Sequence, residues 1–167
     1  FDTNLHATMN LVEAALKVDF EAFIHAGSSS EYGCKDHAPS ETEAPEPNSD
    51  YAVAKAAATL YCQFVARRDG APLTTLRLYS GYGPFEETRR LIPTLLRCGR
   101  QGGFPPLVSP DTARDYVHVS DVVEAFVLAA ARAREHCGAI FNIGGGSQIP
   151  LREVVETVRR LMNLSAE

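Results

Sequence analysis

AFIHAGSSSEYG, residues 22–33, is the stretch on which the reading of this 167-residue chain turns. Ala22 to Gly27 is a compact apolar run followed by serines and glycine, the pattern of a buried parallel strand whose carboxyl end opens into a loop. Upstream, Leu5, Met9, Leu11, Val12, Ala15 and Leu16 recur at helical spacing and predict an amphipathic helix over 3–18. Downstream, residues 34–49 carry four acids and three prolines with few apolar residues, which predicts a long irregular loop of the kind that often carries function. Ser49 or Asp50 caps the next predicted helix, Tyr51 to Arg68, which Gly70 and Pro72 stop. Leu73 to Tyr79 alternates β-formers and reads as a second strand, closed by a turn over 81–84.

Helix, strand, helix, strand is the order of an α/β protein with a parallel sheet, and such sheets place ligands outside the carboxyl ends of their strands, where Ser28 and Ser80 fall. Further along, the pattern predicts a helix over 88–100, a Gly- and Pro-rich stretch at 102–106 and a strand over 116–119. A helix capped by Ser120 or Asp121 then runs to Ala131, followed by a strand over 139–143, a glycine loop and a last helix over 151–162. No internal repeat is visible. The triple glycine 144–146 lacks G-x-G-x-x-G spacing and reads as a turn.

One pair of residues carries chemistry. Tyr51 and Lys55, four apart on a helix, share a face. A phenol of pKa about 10 is a poor base at neutral pH unless a nearby cation stabilises the phenolate, and Lys55 supplies that cation. With a hydroxyl from the cluster Ser28-Ser29-Ser30, the set can move a proton off an alcohol. The bland alternative is an ordinary aromatic and lysine pair on a helix surface, although six Tyr and three Lys in a chain of this length give only about 0.1 such pair by chance.

Composition excludes several classes. A net charge of −5 with pI near 5.5 leaves no basic footprint for nucleic acid. No apolar run approaches the roughly 20 residues that span a bilayer, so no membrane partner is expected. The opening residues lack the regions of a signal peptide, so the cytoplasm is the expected location. Cys34, Cys62, Cys98 and Cys137 stand singly and read as reduced thiols. The five histidines are dispersed, with His25 and His118 inside apolar runs, and no metal site is expected.

The motifs GSSSEYG (27–33), YAVAK (51–55), RLYSGYGP (77–84), RLIP (90–93), RDYVHVSD (114–121) and FNIGGG (141–146) stand in one order over nearly the whole chain. In this the chain resembles the extended short-chain dehydrogenase/reductases, specifically the nucleotide-sugar epimerases and dehydratases. The resemblance implies the C-terminal part of a Rossmann-like parallel sheet with helices on both faces, plus a small mixed substrate-binding subdomain. It places the second half of the cofactor domain at 1–83 and a substrate region, interleaved with the last strand and helices of the sheet, at 84–167. It implies Tyr51 as the acid/base, Lys55 as its tuning cation and as a holder of the nicotinamide ribose, and Ser28, four residues before Tyr32, on the reacting oxygen. Asn4 and Leu78 are implied beside the cofactor, NAD or NADP, and Ser29, Ser80, Arg90, Leu91 and Arg114 beside a nucleotide-diphosphate sugar. Ser80 departs from the asparagine common in relatives, and the ordinary reading of Arg114 is an ion pair with Asp111 or Asp115.

Relatives that remove water carry acids directly after the catalytic Ser or Thr. Here those places hold Ser29 and Ser30; Glu31 comes one position later, and on an extended segment such a shift points it to the other side. The implied activity is therefore a 4-epimerase passing through a 4-keto sugar, with ketoreduction and 4,6-dehydration as alternatives within the family and a non-catalytic sugar-nucleotide-binding or dimerisation module outside it. A homodimer through helices 3–18 and 50–69 is implied as well. The Gly-rich turn that grips the cofactor pyrophosphate is not among these residues, so the chain reads as a fragment and its own affinity for NAD is expected to be weak.

Overall fold

The computed structural model describes residues 1–105 and 109–164. The chain forms two compact units, one of Phe1–Tyr79 with Asp121–Ile143, the other of Ser80–Ser120 with the chain from Gly144 on.

The first unit opens with a π-helical turn, Asp2–His6, that runs into α1 (Ala7–Ala15), three residues short of the end expected at 18. Strand β1 (Phe23–Ser28) lies parallel to β2 (Leu73–Leu78), which lies parallel to β5 (Ile140–Ile143). Between β1 and β2 runs α2 (Asp50–Asp69), capped by the Ser49 hydroxyl on the Ala52 amide. Its end is set by Gly70, left-handed at φ 63°, a conformation that costs glycine little. The buried face of α2 is mostly alanine, Ala52, Ala54, Ala56, Ala58 and Ala66, so its backbone can approach the sheet closely. Val12, Cys62, Val65, Ala66 and Leu73 form the core between α1, α2 and β2. Alternation along β2 sends Thr75 and Arg77 to the side of α2. Leu76 goes to the opposite side, where it lines a cavity of about 280 Å³ with Ala125, Leu128 and Ala129 of α4 (Val119–Ala131) and Phe141 and Ile143 of β5. Helices therefore cover both faces of a parallel sheet.

The second unit contains β3 (Ser80–Tyr82), parallel to β4 (Ala113–His118), which is antiparallel to β6 (Gln148–Pro150). Its core is Leu95, Val154 and Val158, where α3 (Leu91–Gly99) meets α5 (Leu151–Leu161).

Several local expectations change. Residues 80–82, next to and partly within the predicted turn, are a strand, because pairing Ser80, Gly81 and Tyr82 with Tyr116, Val117 and His118 outweighs the glycine signal. The Tyr82 ring packs edge-on against Tyr116 and His118 at 6.3 and 5.4 Å between centroids. Helix α3 starts at Leu91 rather than Thr88, which leaves Pro93 in the first turn, where proline is tolerated, instead of mid-helix. Strand β6 and a 3₁₀ turn at Ala133–Glu135 had no periodic signal. The predicted connector at 102–106 reaches Pro106, which lies outside the described residues. The four cysteines are free thiols, and no helix among the described residues is long and apolar enough to cross a membrane.

Candidate active site

The register of the parallel sheet puts Ser28, Leu78 and Ile143 side by side at the carboxyl ends of β1, β2 and β5. Ser28 closes β1 and caps the 3₁₀ turn Ser29–Tyr32. Its Oγ accepts the Ser30 amide at 3.2 Å and lies 2.8 Å from the Ser30 hydroxyl. Its own amide donates to Glu31 Oε1 at 2.8 Å. The segment is thus a turn and not extended. The turn folds Glu31 under the strand into the core, where its carboxylate takes the Ser28 amide.

There both oxygens of the Glu31 carboxylate are engaged. Oε1 accepts the Ser28 amide and the Thr59 hydroxyl at 2.9 Å, and Oε2 accepts Arg77 Nε at 2.8 Å. Arg77 also donates to the Tyr32 hydroxyl at 2.7 Å and stacks on that ring, and Tyr32 donates to Asn142 at 2.9 Å. Side-chain exposure of the Arg77–Glu31 pair is 2% and 0%. Gly27 keeps the space open, since a Cβ there would stand 2.9 Å from both Glu31 Oε1 and the Thr75 methyl. An arginine in a run of β-formers was the available signal, because a buried charge must find a partner.

Tyr51 stands in the first turn of α2, 50% exposed. One turn later Lys55 reaches back to β1, its Nζ donating to the Ala26 carbonyl at 2.7 Å. That bond ties the helix face carrying the phenol to the strand two residues before Ser28. Burial holds the Lys55 ammonium below the ordinary lysine value, while the Glu31 carboxylate pulls it back up. Asn4 sits in the π turn that packs on α2, its carbonyl taken by the Thr8 hydroxyl, with no hydrogen bond to Ser28, Tyr51 or Lys55 among the described residues. An ammonium and a phenol one turn apart, beside the carboxyl ends of parallel strands, are a donor set that fits a ribose diol such as that of the nicotinamide nucleoside.

The second unit holds the other candidates together. Ser80, Arg90, Leu91 and Arg114 line one cavity of about 750 Å³, with Glu86 and Tyr116. Arg90 is held through its Nε by Glu86 Oε1 at 2.9 Å. Arg114 makes neither of the ion pairs its neighbours in sequence suggest. Asp111 pairs with Arg152, and Asp115 accepts the Gly145 and Gly146 amides at 2.5 and 3.0 Å. The glycine turn is therefore a small anion-binding loop whose anion is the protein's own carboxylate. The Arg114 guanidinium is left exposed at the cavity without an acid partner among the described residues.

The model of the NAD dependent epimerase/dehydratase family matches residues 1–144. The chain is 30% identical over 155 residues to dTDP-glucose 4,6-dehydratase of Streptomyces griseus, covering 92% of this chain and 47% of that protein. Among solved structures it superposes on UDP-glucuronic acid 4-epimerase from Bacillus cereus in complex with UDP-glucuronic acid and NAD, with TM-score 0.89 and 27% identity over 98% of this chain and 52% of that one. It also superposes on MoeE5 in complex with UDP-glucose and NAD, with TM-score 0.88 and 36% identity over 96% of this chain and 55% of that one. The chain spans about half the length of the curated relatives it matches. With the motifs, the parallel sheet and this match over most of its length in agreement, the chain belongs to the NAD dependent epimerase/dehydratase family.

Proposed function

We propose that this chain is the acid/base and sugar-nucleotide part of a nucleotide-sugar 4-epimerase. The observation that carries the choice over dehydration is the serine turn. The two positions after Ser28 are hydroxyls, and the one acid nearby, Glu31, has both carboxylate oxygens engaged in the core. Expelling water from a keto-sugar needs a group that can take a proton and another that can give one, and a buried carboxylate with both oxygens engaged is poorly placed for either.

In this reading Tyr51 takes the proton of the sugar's C4 hydroxyl and returns it after the keto-sugar has turned over. Lys55, an ammonium on the same helix face, stabilises the phenolate and donates to the ribose of the cofactor. The Ser28 hydroxyl binds the reacting oxygen, its direction set by the turn it caps. NAD, when bound, supplies the hydride acceptor and donor at C4. Arg114 and Arg90 hold the diphosphate, a task suited to guanidinium forks. Leu78, Asn4, Ser29, Ser80 and Leu91 complete the binding surfaces. A homodimer through α1 and α2 fits the apolar side chains those helices leave exposed, Leu11, Val53, Leu60 and Phe64.

The test is product analysis. Full-length protein incubated with NAD and UDP-glucose should yield the C4 epimer without net oxidation, resolved by NMR. Tyr51→Phe should slow turnover by about 10²- to 10⁴-fold. A 4-keto-6-deoxy sugar as the product would overturn the reading in favour of dehydration.

A further inference from the structure

Glu86 lines the cavity, and neither the motifs nor the proposed reaction uses it. Its side chain is 10% exposed, Oε1 holds Arg90, and Oε2 is buried with no hydrogen-bond partner among the described residues. A buried carboxylate oxygen without a donor is costly, and such groups in native proteins call for an explanation. Glu86 is one of the residues that line the cavity, and a turn of its carboxyl group brings this buried oxygen to a donor that a ligand supplies there.

The chemistry narrows the donor. Phosphate oxygens are acceptors only, so the diphosphate cannot satisfy Glu86 and belongs instead with Arg90 and Arg114. A metal ion would need several ligating groups together, and no cluster of three His, Cys, Asp or Glu exists among the described residues. Two parts of a nucleotide-sugar accompany the diphosphate and carry donors: the hexose, which the proposed reaction gives to Tyr51 and Ser28, and the nucleoside, which is left for this oxygen through its ribose hydroxyls or a base N–H. We propose that Glu86 is the residue by which the cavity selects for the nucleoside, its second oxygen accepting a hydrogen bond from that part of the ligand. This rests on the nucleotide-sugar reading of the cavity. It adds that Glu86 works against a bare phosphate ligand, placing negative charge beside the phosphates and giving affinity back only when a nucleoside donor arrives. The terminal carboxyl torsion is broad, so a small rotation can meet the donor.

Isothermal titration of the chain with UDP, 2′-deoxy-UDP, UDP-glucose and pyrophosphate tests this. Wild type should bind UDP more tightly than pyrophosphate. Glu86→Ala should shrink that preference about tenfold or more, the size expected for a hydrogen bond to a charged group, and Glu86→Gln, which keeps an acceptor, should restore part of it. Thermal melting of both variants close to wild type confirms that they fold, since the Glu86–Arg90 pair has an exposed arginine. Loss of the preference for 2′-deoxy-UDP on wild type assigns the donor to the ribose 2′-hydroxyl, and its retention assigns it elsewhere on the nucleoside; either supports the proposal. An unchanged preference in Glu86→Ala overturns the proposal while leaving the nucleotide reading intact. So does an effect seen with UDP-glucose and not with UDP, which moves the donor to the hexose. Failure of wild type to bind UDP, UDP-glucose or pyrophosphate overturns the nucleotide reading itself, and the proposal with it.

Discussion

Two glutamate–arginine pairs of this chain, Glu31–Arg77 and Glu86–Arg90, have nearly the same length and opposite surroundings. Glu31 meets Arg77 at 2.8 Å with both carboxylate oxygens engaged, by Ser28, Thr59 and Arg77, and both partners sealed from water. Glu86 meets Arg90 at 2.9 Å, but its arginine is 55% exposed and its second oxygen is served by nothing among the described residues. The contrast teaches that an ion pair's distance says little about its job. A pair with both carboxylate oxygens engaged fixes a backbone, here the turn that aims Ser28, whereas a pair with one oxygen unserved at a cavity keeps an interaction in reserve for a ligand.

Substitution at the two acids should separate them most sharply. Glu31→Ala leaves Arg77 as an uncompensated buried charge, with the Ser28 amide and Thr59 hydroxyl orphaned, and should cost about 3–5 kcal/mol of stability in urea unfolding. Glu86→Ala should cost within about 1 kcal/mol, because its partner stays solvated. Equal losses at the two sites would erase the distinction.

The sealed region also contains a group that pays no such compensation. His25, on β1, is buried with Nε2 unpartnered, and burial together with the Lys55 charge lowers its pKa to about 4. The unfolded chain protonates near 6.5 and the native state near 4, so the unfolded state binds more protons across that window. Stability from this residue is complete above about pH 6.5 and declines as pH falls toward 4, by about 3 kcal/mol in all. His25→Leu should flatten that slope in unfolding measured at pH 7, 5.5 and 4.5. Because the imidazole makes no hydrogen bond through Nε2, it should lose little stability at pH 7. A slope unchanged by the substitution would place the acid sensitivity in other groups.

What was legible follows the same division. The parallel sheet could be read from Phe23–Ser28 and Leu73–Leu78, because strands buried on both faces are near-continuous runs of β-formers, and Ser49 and Gly70 marked both ends of α2. The placement of Tyr51 and Lys55 one turn apart could be read because it depends only on spacing within one helix. Long-range partners could not. Nothing local tells Arg77 that it will meet Glu31 from 46 residues away, or Asp115 that its carboxylate will be wrapped by Gly145 and Gly146. Residues 80–82 failed for the same reason, since the glycine signal is local and the pairing with β4 is not.

Arg114 gives the last and narrowest way to sharpen the contrast. The two aspartates that sequence offers it are occupied, one by Arg152 and one by glycine amides, so its guanidinium carries no structural bond among the described residues and faces the cavity. Arg114→Ala should therefore leave urea-unfolding stability within about 0.5 kcal/mol, the range for a surface change away from any network. The same variant should weaken UDP binding by about 1.5–3 kcal/mol, the value of hydrogen bonds to a charged group. Arg114→Lys should recover only part of that, because an ammonium meets phosphate as a point charge and not as a fork. A variant that loses stability and affinity together would mean that Arg114 belongs with Arg77 as a structural cation, and the cavity would then have to hold its anion by Arg90 alone.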